Sequence, residues 1–152
     1  MVIVAMKRGL FFPLILFFAL PLWPQEQVGV NGELFSLVGM KVAELIEQFG
    51  PPIAVFTVRG NEVWQDDVVF HYAGADFYIV KDRVWQVKLA AALGINSGDP
   101  KQAALLVLGV KAQDRGDHLL MPVSGGDWPL MFRVNINNAG RVAAIFIYRP
   151  DF

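Results

Sequence analysis

"LVGMKVAELIEQFGPPIAVF", residues 37–56, is the stretch on which the fold turns. Within it Val42, Leu45, Ile46 and Phe49 recur at i, i+3, i+4 and i+7, which places them on one stripe of a helix, while Lys41, Glu44, Glu47 and Gln48 stay wet. Gly50 can take the left-handed backbone that closes a helix, and Pro51 with Pro52 prevents it from resuming. The stretch therefore predicts a short amphipathic helix, a sharp stop and the start of a strand.

Strand-like runs follow at 53–59, 62–72, 76–80 and 84–89, separated by "RGN", "AGA" and "KDR". The second half uses the same grammar. "SGDPKQAALLVLG", residues 97–109, offers Asp99 as N-cap, Pro100 at the first helical position, an apolar stripe of Ala103, Leu106 and Val107, and Gly109 as terminator. Strands then read at 110–115, 118–123, 130–137 and 141–148, with "NAG" as a hairpin turn. "FYIVKDRVWQVKL" and "FRVNINNAGRVAAIFIY" each give a strand, a polar turn, and Arg-Val opening a last apolar strand. An internal duplication accounts for this, because one short helix on one small sheet is a poor core. The expected fold class is α+β, with two tandem helix-plus-four-stranded-antiparallel-sheet repeats at 28–94 and 95–152, each helix on its own sheet.

"GMKVAELIEQFGPP" resembles the Gly-Met-x-x-x-Glu-Leu-x-x-x-hydrophobic-Gly-x-Pro opening of small outer-membrane lipoproteins of the SmpA/OmlA type. The tandem arrangement is similar to the beta-lactamase inhibitory protein (BLIP-like) fold, in which two such units lie side by side and present a sheet to a protein partner. The resemblance covers 39–89 and, more loosely, 98–148. It implies a small envelope protein that works by binding another protein. The lipid-bearing cysteine of the first group and the disulfides of the second have no counterpart here, since the chain contains no cysteine.

Address is read from the N-terminus. Lys7 and Arg8 form a positive region, and the apolar run at 9–23, "GLFFPLILFFALPLW", suits a secretory signal better than a spanning helix, which needs about 20 residues. Met6 directly precedes the charges, so translation from Met1 or from Met6 gives a signal of this kind. Residues 1–27 are thus a signal peptide or an N-terminal anchor, and the protein is periplasmic or secreted, or held at the inner membrane by an uncleaved signal. Any membrane contact is expected through that segment alone.

Composition narrows the function. With 13 basic and 14 acidic residues, a net charge of −1 and no block of like charges, nothing draws the chain to nucleic acid. Hydrophobic residues make up 55% of the 152, enough for a packed core. The absence of cysteine removes thiolate metal sites and cysteine nucleophiles, and no other metal-ligand spacing appears, so no cofactor is expected. No catalytic motif is present. The serines Ser36, Ser97 and Ser124 lie in no Gly-x-Ser-x-Gly elbow; His118 and Ser124 form the nearest nucleophile-base pair, and a histidine beside a turn serine is its simpler reading. Asp66 and Asp67 are adjacent carboxylates that point apart on a strand unless a bulge intervenes. "SGGD" at 124–127 lacks the lysine and following helix of a phosphate loop.

Strand alternation points instead to a surface. If Phe56, Val58, Phe70, Tyr72, Trp85, Val87 and Leu89 face the helix, then Thr57, Arg59, His71, Gln86 and Lys88 face away; Phe132, Val134 and Ile136 pack inward while Met131, Arg133, Asn135 and Asn137 face out. Tyr78 and Trp128 are candidates for exposed aromatic anchors. The expected binding residues are Arg59, His71, Tyr78, Lys88, Trp128 and Arg133, and the expected function is an exported, non-catalytic protein-binding module of the bacterial cell envelope. An inhibitor of a periplasmic or extracellular hydrolase is the alternative. The partner is another envelope protein.

Overall fold

The computed structural model describes residues 34–59, 66–124 and 128–151. The segment 1–27, the strand portion at 62–65 and most of "SGGD" lie outside the described residues. A 3-10 turn at Leu34–Leu37 leads into α1 (Val42–Phe49) and the strands β1 (Ala54–Val58), β2 (Asp67–Tyr72), β3 (Ala75–Val80) and β4 (Arg83–Leu89). A short ribbon of β5 (Ala91–Ala92) and β6 (Ile95–Asn96) precedes α2 (Lys101–Leu108) and a 3-10 turn at Gly109–Lys111. The chain ends in β7 (Gln113–Asp114), β8 (His118–Val123), β9 (Leu130–Ile136) and β10 (Val142–Tyr148).

Here the structure corrects the expected fold class. The described chain is mostly β: one antiparallel eight-stranded sheet in the order β1-β2-β3-β4-β10-β9-β8-β7, a separate β5-β6 ribbon, and two short α-helices. It is not two helix-plus-four-stranded-sheet repeats with a sheet each, because β10 pairs with β4 from Ile145↔Leu89 to Tyr148↔Gln86. A four-stranded sheet ending at β4 would leave a row of unpaired backbone groups there, as would one ending at β10, and pairing the two removes both edges. Each helix has eight residues, so it is about 12 Å long. That length spans only two or three strands about 4.8 Å apart, too little to close a core alone. The division placed after residue 94 falls inside the β5-β6 ribbon, between Gly94 and Ile95.

α1 forms where the periodicity puts it. The Glu44 carboxylate accepts the Lys41 backbone N–H at 2.9 Å, satisfying one of the donors that a helix start leaves unpaired. The Gly50 N–H donates to the Ile46 carbonyl at 2.8 Å with φ at +76°, and the buried Tyr72 hydroxyl donates to the Gly50 carbonyl at 2.9 Å, tying the helix end to β2. Phe49 packs on Tyr72 and Phe77. The helix thus covers the sheet face that carries Tyr72, Ala75 and Phe77.

α2 differs from expectation in rotation. Ala104 and Leu108 are buried, whereas Leu106 is 84% and Val107 51% exposed. "AALLVL" is apolar on every side, so periodicity could not fix which stripe turns inward. Nor does Asp99 cap the helix; its carboxylate accepts the Asn96 N–H at 2.7 Å, and Pro100 occupies the cap position. Both helices feed one hydrophobic cluster with Phe77, Val87, Leu119, Phe132, Val134, Ile145 and Ile147, all from the same sheet face. The expected strand at 110–115 shrinks to the two residues of β7, and Pro122 is tolerated in β8 beyond the part that β7 pairs.

Candidate functional site

The opposite face of the sheet carries no helix. Cross-strand register fixes which side chains share it. One row runs Phe56, Val69, Tyr78, Gln86, Tyr148, Met131 and Pro122 across seven strands. The next runs Ala54, His71, Asp76, Lys88, Phe146, Arg133 and Leu120. His71, Tyr78, Lys88 and Arg133, four of the six expected binding residues, therefore stand on one surface.

The other two do not join them. Arg59 lies beyond the end of β1, its side chain 80% exposed and 3.5 Å from Asp66. The alternation assigned to β1 is reversed: Phe56 pairs with Val69 and Val58 with Asp67 on the helix-free face, while Thr57 sits on the helix side opposite Val68. Every residue of this edge strand is exposed, so its sequence had no buried face to report. Trp128 is the second exception. Its ring lies under the Arg149 guanidinium at 4.0 Å and against Gly39, where an added Cβ would stand 2.6 Å from the indole nitrogen. It holds the residue just before β9 against Gly39, in the segment leading into α1.

Trp85 was expected on the helix side. A register shift in which Tyr78 opposes Gln86 and Ile79 opposes Val84 leaves Trp85 as the extra residue of a bulge. Its indole N–H donates to Asp67 at 3.1 Å and its ring meets Tyr78 edge-on, with centroids 6.4 Å apart. Asp67 and Asp66 thus serve different partners, Trp85 and Arg59, and form no paired-carboxylate site. Burial, together with the neighbouring Asp66, pushes the Asp67 carboxyl above its usual range against the opposing pull of the Trp85 hydrogen bond. Burial and the nearby Asp76 and Asp67 raise the Tyr78 phenol, which stays neutral.

The densest polar group is centred on Asp76. His71 Nδ1 donates to one carboxylate oxygen at 2.6 Å and Lys88 Nζ to the other at 3.3 Å, while the Asp76 side chain is only 16% exposed. These residues line an open hollow of about 350 Å³ whose remaining wall is Leu89 and small residues, among them Gly74, Ala90, Ser97 and Ala144. The Ser97 hydroxyl is directed to the Ala143 carbonyl at 3.5 Å. His118 bonds Asp117 at 2.7 Å and opens β8, while Ser124 follows its end. An extended strand separates those two by about 20 Å, so they form no nucleophile-base pair. Among the described residues no three His, Asp or Glu side chains gather as a metal site. Sequence reasoning missed Asp76, Phe146 and Tyr148, whose importance depends on which strand lies beside them.

No protein-family model matches the chain, and no curated protein matches it. Its fold is similar to a solved structure of an extracellular protein containing a SCP domain from Bacillus anthracis str. Ames, with a TM-score of 0.52 and 10% sequence identity. The match covers 98% of this chain and 51% of that one, so this chain spans about half the length of its structural neighbour. At such identity the likeness is one of fold alone. Among the described residues no helix is long and apolar enough to cross a membrane.

Proposed function

We propose that this chain is an exported, non-catalytic protein-binding module of the bacterial cell envelope, periplasmic or secreted, and that it binds through the helix-free face of its sheet. The observation that carries this reading is the side-by-side placement of Tyr78, Trp85, Tyr148, Phe146, Lys88 and Arg133 on contiguous strands. Aromatic and arginine side chains dominate interface energetics, the aromatics because they bury much area for few rotatable bonds and arginine because its planar fork makes several hydrogen bonds at once. All six are half-buried side by side on β3, β4, β9 and β10, which gives the surface a rigid base. The signal-like segment at 9–23 supports export. The extracellular location of the structural neighbour accords with it.

The reading is tested by cross-linking the full chain in its own host and comparing Tyr78→Ala and Tyr148→Ala with Val110→Ala, a fully exposed residue on the turn after α2. A discrete adduct lost in the first two variants and kept in the third is the expected result. Loss in the Val110 variant alone would move the working surface to the turn after α2.

A further inference from the structure

Arg133 differs from the other arginines of the described chain. Arg59 faces Asp66 and Arg149 faces Asp151, while Arg83 and Arg141 each donate to a glycine carbonyl and Arg115 to Gln113. Arg133 is half-buried, and its Nε donates to Asn135 Oδ1 at 2.7 Å. That bond orients the guanidinium and occupies only one of its donors. Among the described residues no carboxylate lies within 4.0 Å of it. Its cross-strand neighbours are Phe146 on one side and Leu120 on the other, so apolar side chains flank the charge. Lys88, across Phe146 from Arg133, already has Asp76 as its counter-ion.

A fixed, partly desolvated guanidinium between apolar walls is matched best by a carboxylate, which can take two parallel hydrogen bonds in the geometry that the fork presents. We propose that Arg133 receives an aspartate or glutamate side chain of the protein partner, whose adjoining apolar residues rest on Phe146 and Leu120. This rests on the reading of the helix-free face as a protein-binding surface and adds the chemistry that the partner must bring. The Asp117 carboxylate feels the Arg133 charge from a distance but is engaged by His118 at 2.7 Å, so the guanidinium keeps donors for an acidic group brought from outside.

The test uses the full chain in its own host, with a photoreactive phenylalanine analogue at Leu120 and, separately, at Tyr78, and at Val110 as a control for background. The adduct is mapped to a partner residue by mass spectrometry. Arg133→Glu should lower the Leu120 adduct about tenfold or more. Changing the mapped acidic residue of the partner to lysine should restore the adduct with Arg133→Glu and weaken it with the native chain. Arg133→Gln, judged for folding by its melting temperature, replaces the reversal if Arg133→Glu does not fold. An adduct that persists in Arg133→Gln, or that maps to a segment without an acidic residue, overturns the carboxylate and leaves the face standing. No discrete adduct from either Leu120 or Tyr78 overturns the face reading and the inference with it.

Discussion

The Arg83 guanidinium donates to the Gly39 carbonyl at 2.7 Å, and Arg141 does the same to Gly98 at 2.9 Å. Around each pair the backbone bonds repeat: Gly39 N–H to Val84 O at 2.7 Å and Val84 N–H to Met40 O at 2.9 Å, then Gly98 N–H to Val142 O at 2.8 Å and Val142 N–H to Asp99 O at 2.8 Å. The Arg-Val that opens β4 and β10 is therefore a clasp that holds the segment leading into each helix against the sheet. Because β4 and β10 are antiparallel, the two clasps lie at opposite ends of the central pair. Arg83→Ala and Arg141→Ala should each lower stability by about 1 kcal/mol, and the double variant by their sum, since distant sites add. Chemical denaturation measures both; a double variant no worse than either single one would mean that the clasps are not independent.

Gly39 and Gly98 occupy equivalent backbone positions, with φ at +96° and +92°, but their surroundings differ. A Cβ at Gly98 meets nothing within 4 Å, whereas one at Gly39 would stand 2.6 Å from Trp128 Nε1. Gly98→Ala should cost about 1–3 kcal/mol for the backbone alone. Gly39→Ala should cost more, and in a Trp128→Ala background its extra penalty should vanish. If the two glycine variants were equally destabilised, the contact of Trp128 with Gly39 would carry no weight.

The parts legible in the sequence were those set by local chemistry. α1 is announced by its apolar stripe and by Gly50, and β8, β9 and β10 by runs that the structure reproduces within a residue or so. What could not be read was the pairing of β4 with β10, because neither strand carries a mark that distinguishes an edge from a centre. The polar network followed the same limit: His71, Asp76 and Lys88 sit on three strands and meet only once register is known. Uniformly apolar segments hid their orientation, as in β1 and α2. The bulge that turns Trp85 over has no local signal either, since nothing in "RVWQVKL" marks an extra residue.

Asp67 should make the protein less stable as pH rises. Its folded carboxyl is raised above 3.8, so the folded chain holds a proton that the unfolded chain has released between 3.8 and the folded value. Stability falls across that window and stays lower above it. Asp114 and Asp117 have lowered carboxyls and act in the opposite sense, losing their contribution as pH falls. Asp67→Asn keeps an acceptor for Trp85 and removes the ionisation. Its melting temperature should match or exceed the native value at about pH 7, and the difference should close in acid below both values. A variant clearly less stable at neutral pH would show that the charged carboxylate, not merely an acceptor, holds the Trp85 indole.

Asp76 is the joint of the helix-free face, and removing it should separate structure from binding. With the carboxylate gone, Lys88 loses its counter-ion and His71 its partner, both on a surface only half open to water. Asp76→Ala should cost about 1–3 kcal/mol, the range for losing hydrogen bonds that involve a charged group. The released ammonium should then compete with Arg133 for the partner's carboxylate, since Lys88 and Arg133 flank Phe146 from adjacent strands. Cross-linking at Leu120 in Asp76→Ala should persist and become less sensitive to Arg133→Gln. If that variant were as stable as the native chain, the Asp76 network would be a solvated surface feature, and Lys88 would have no reason to be held back from the partner.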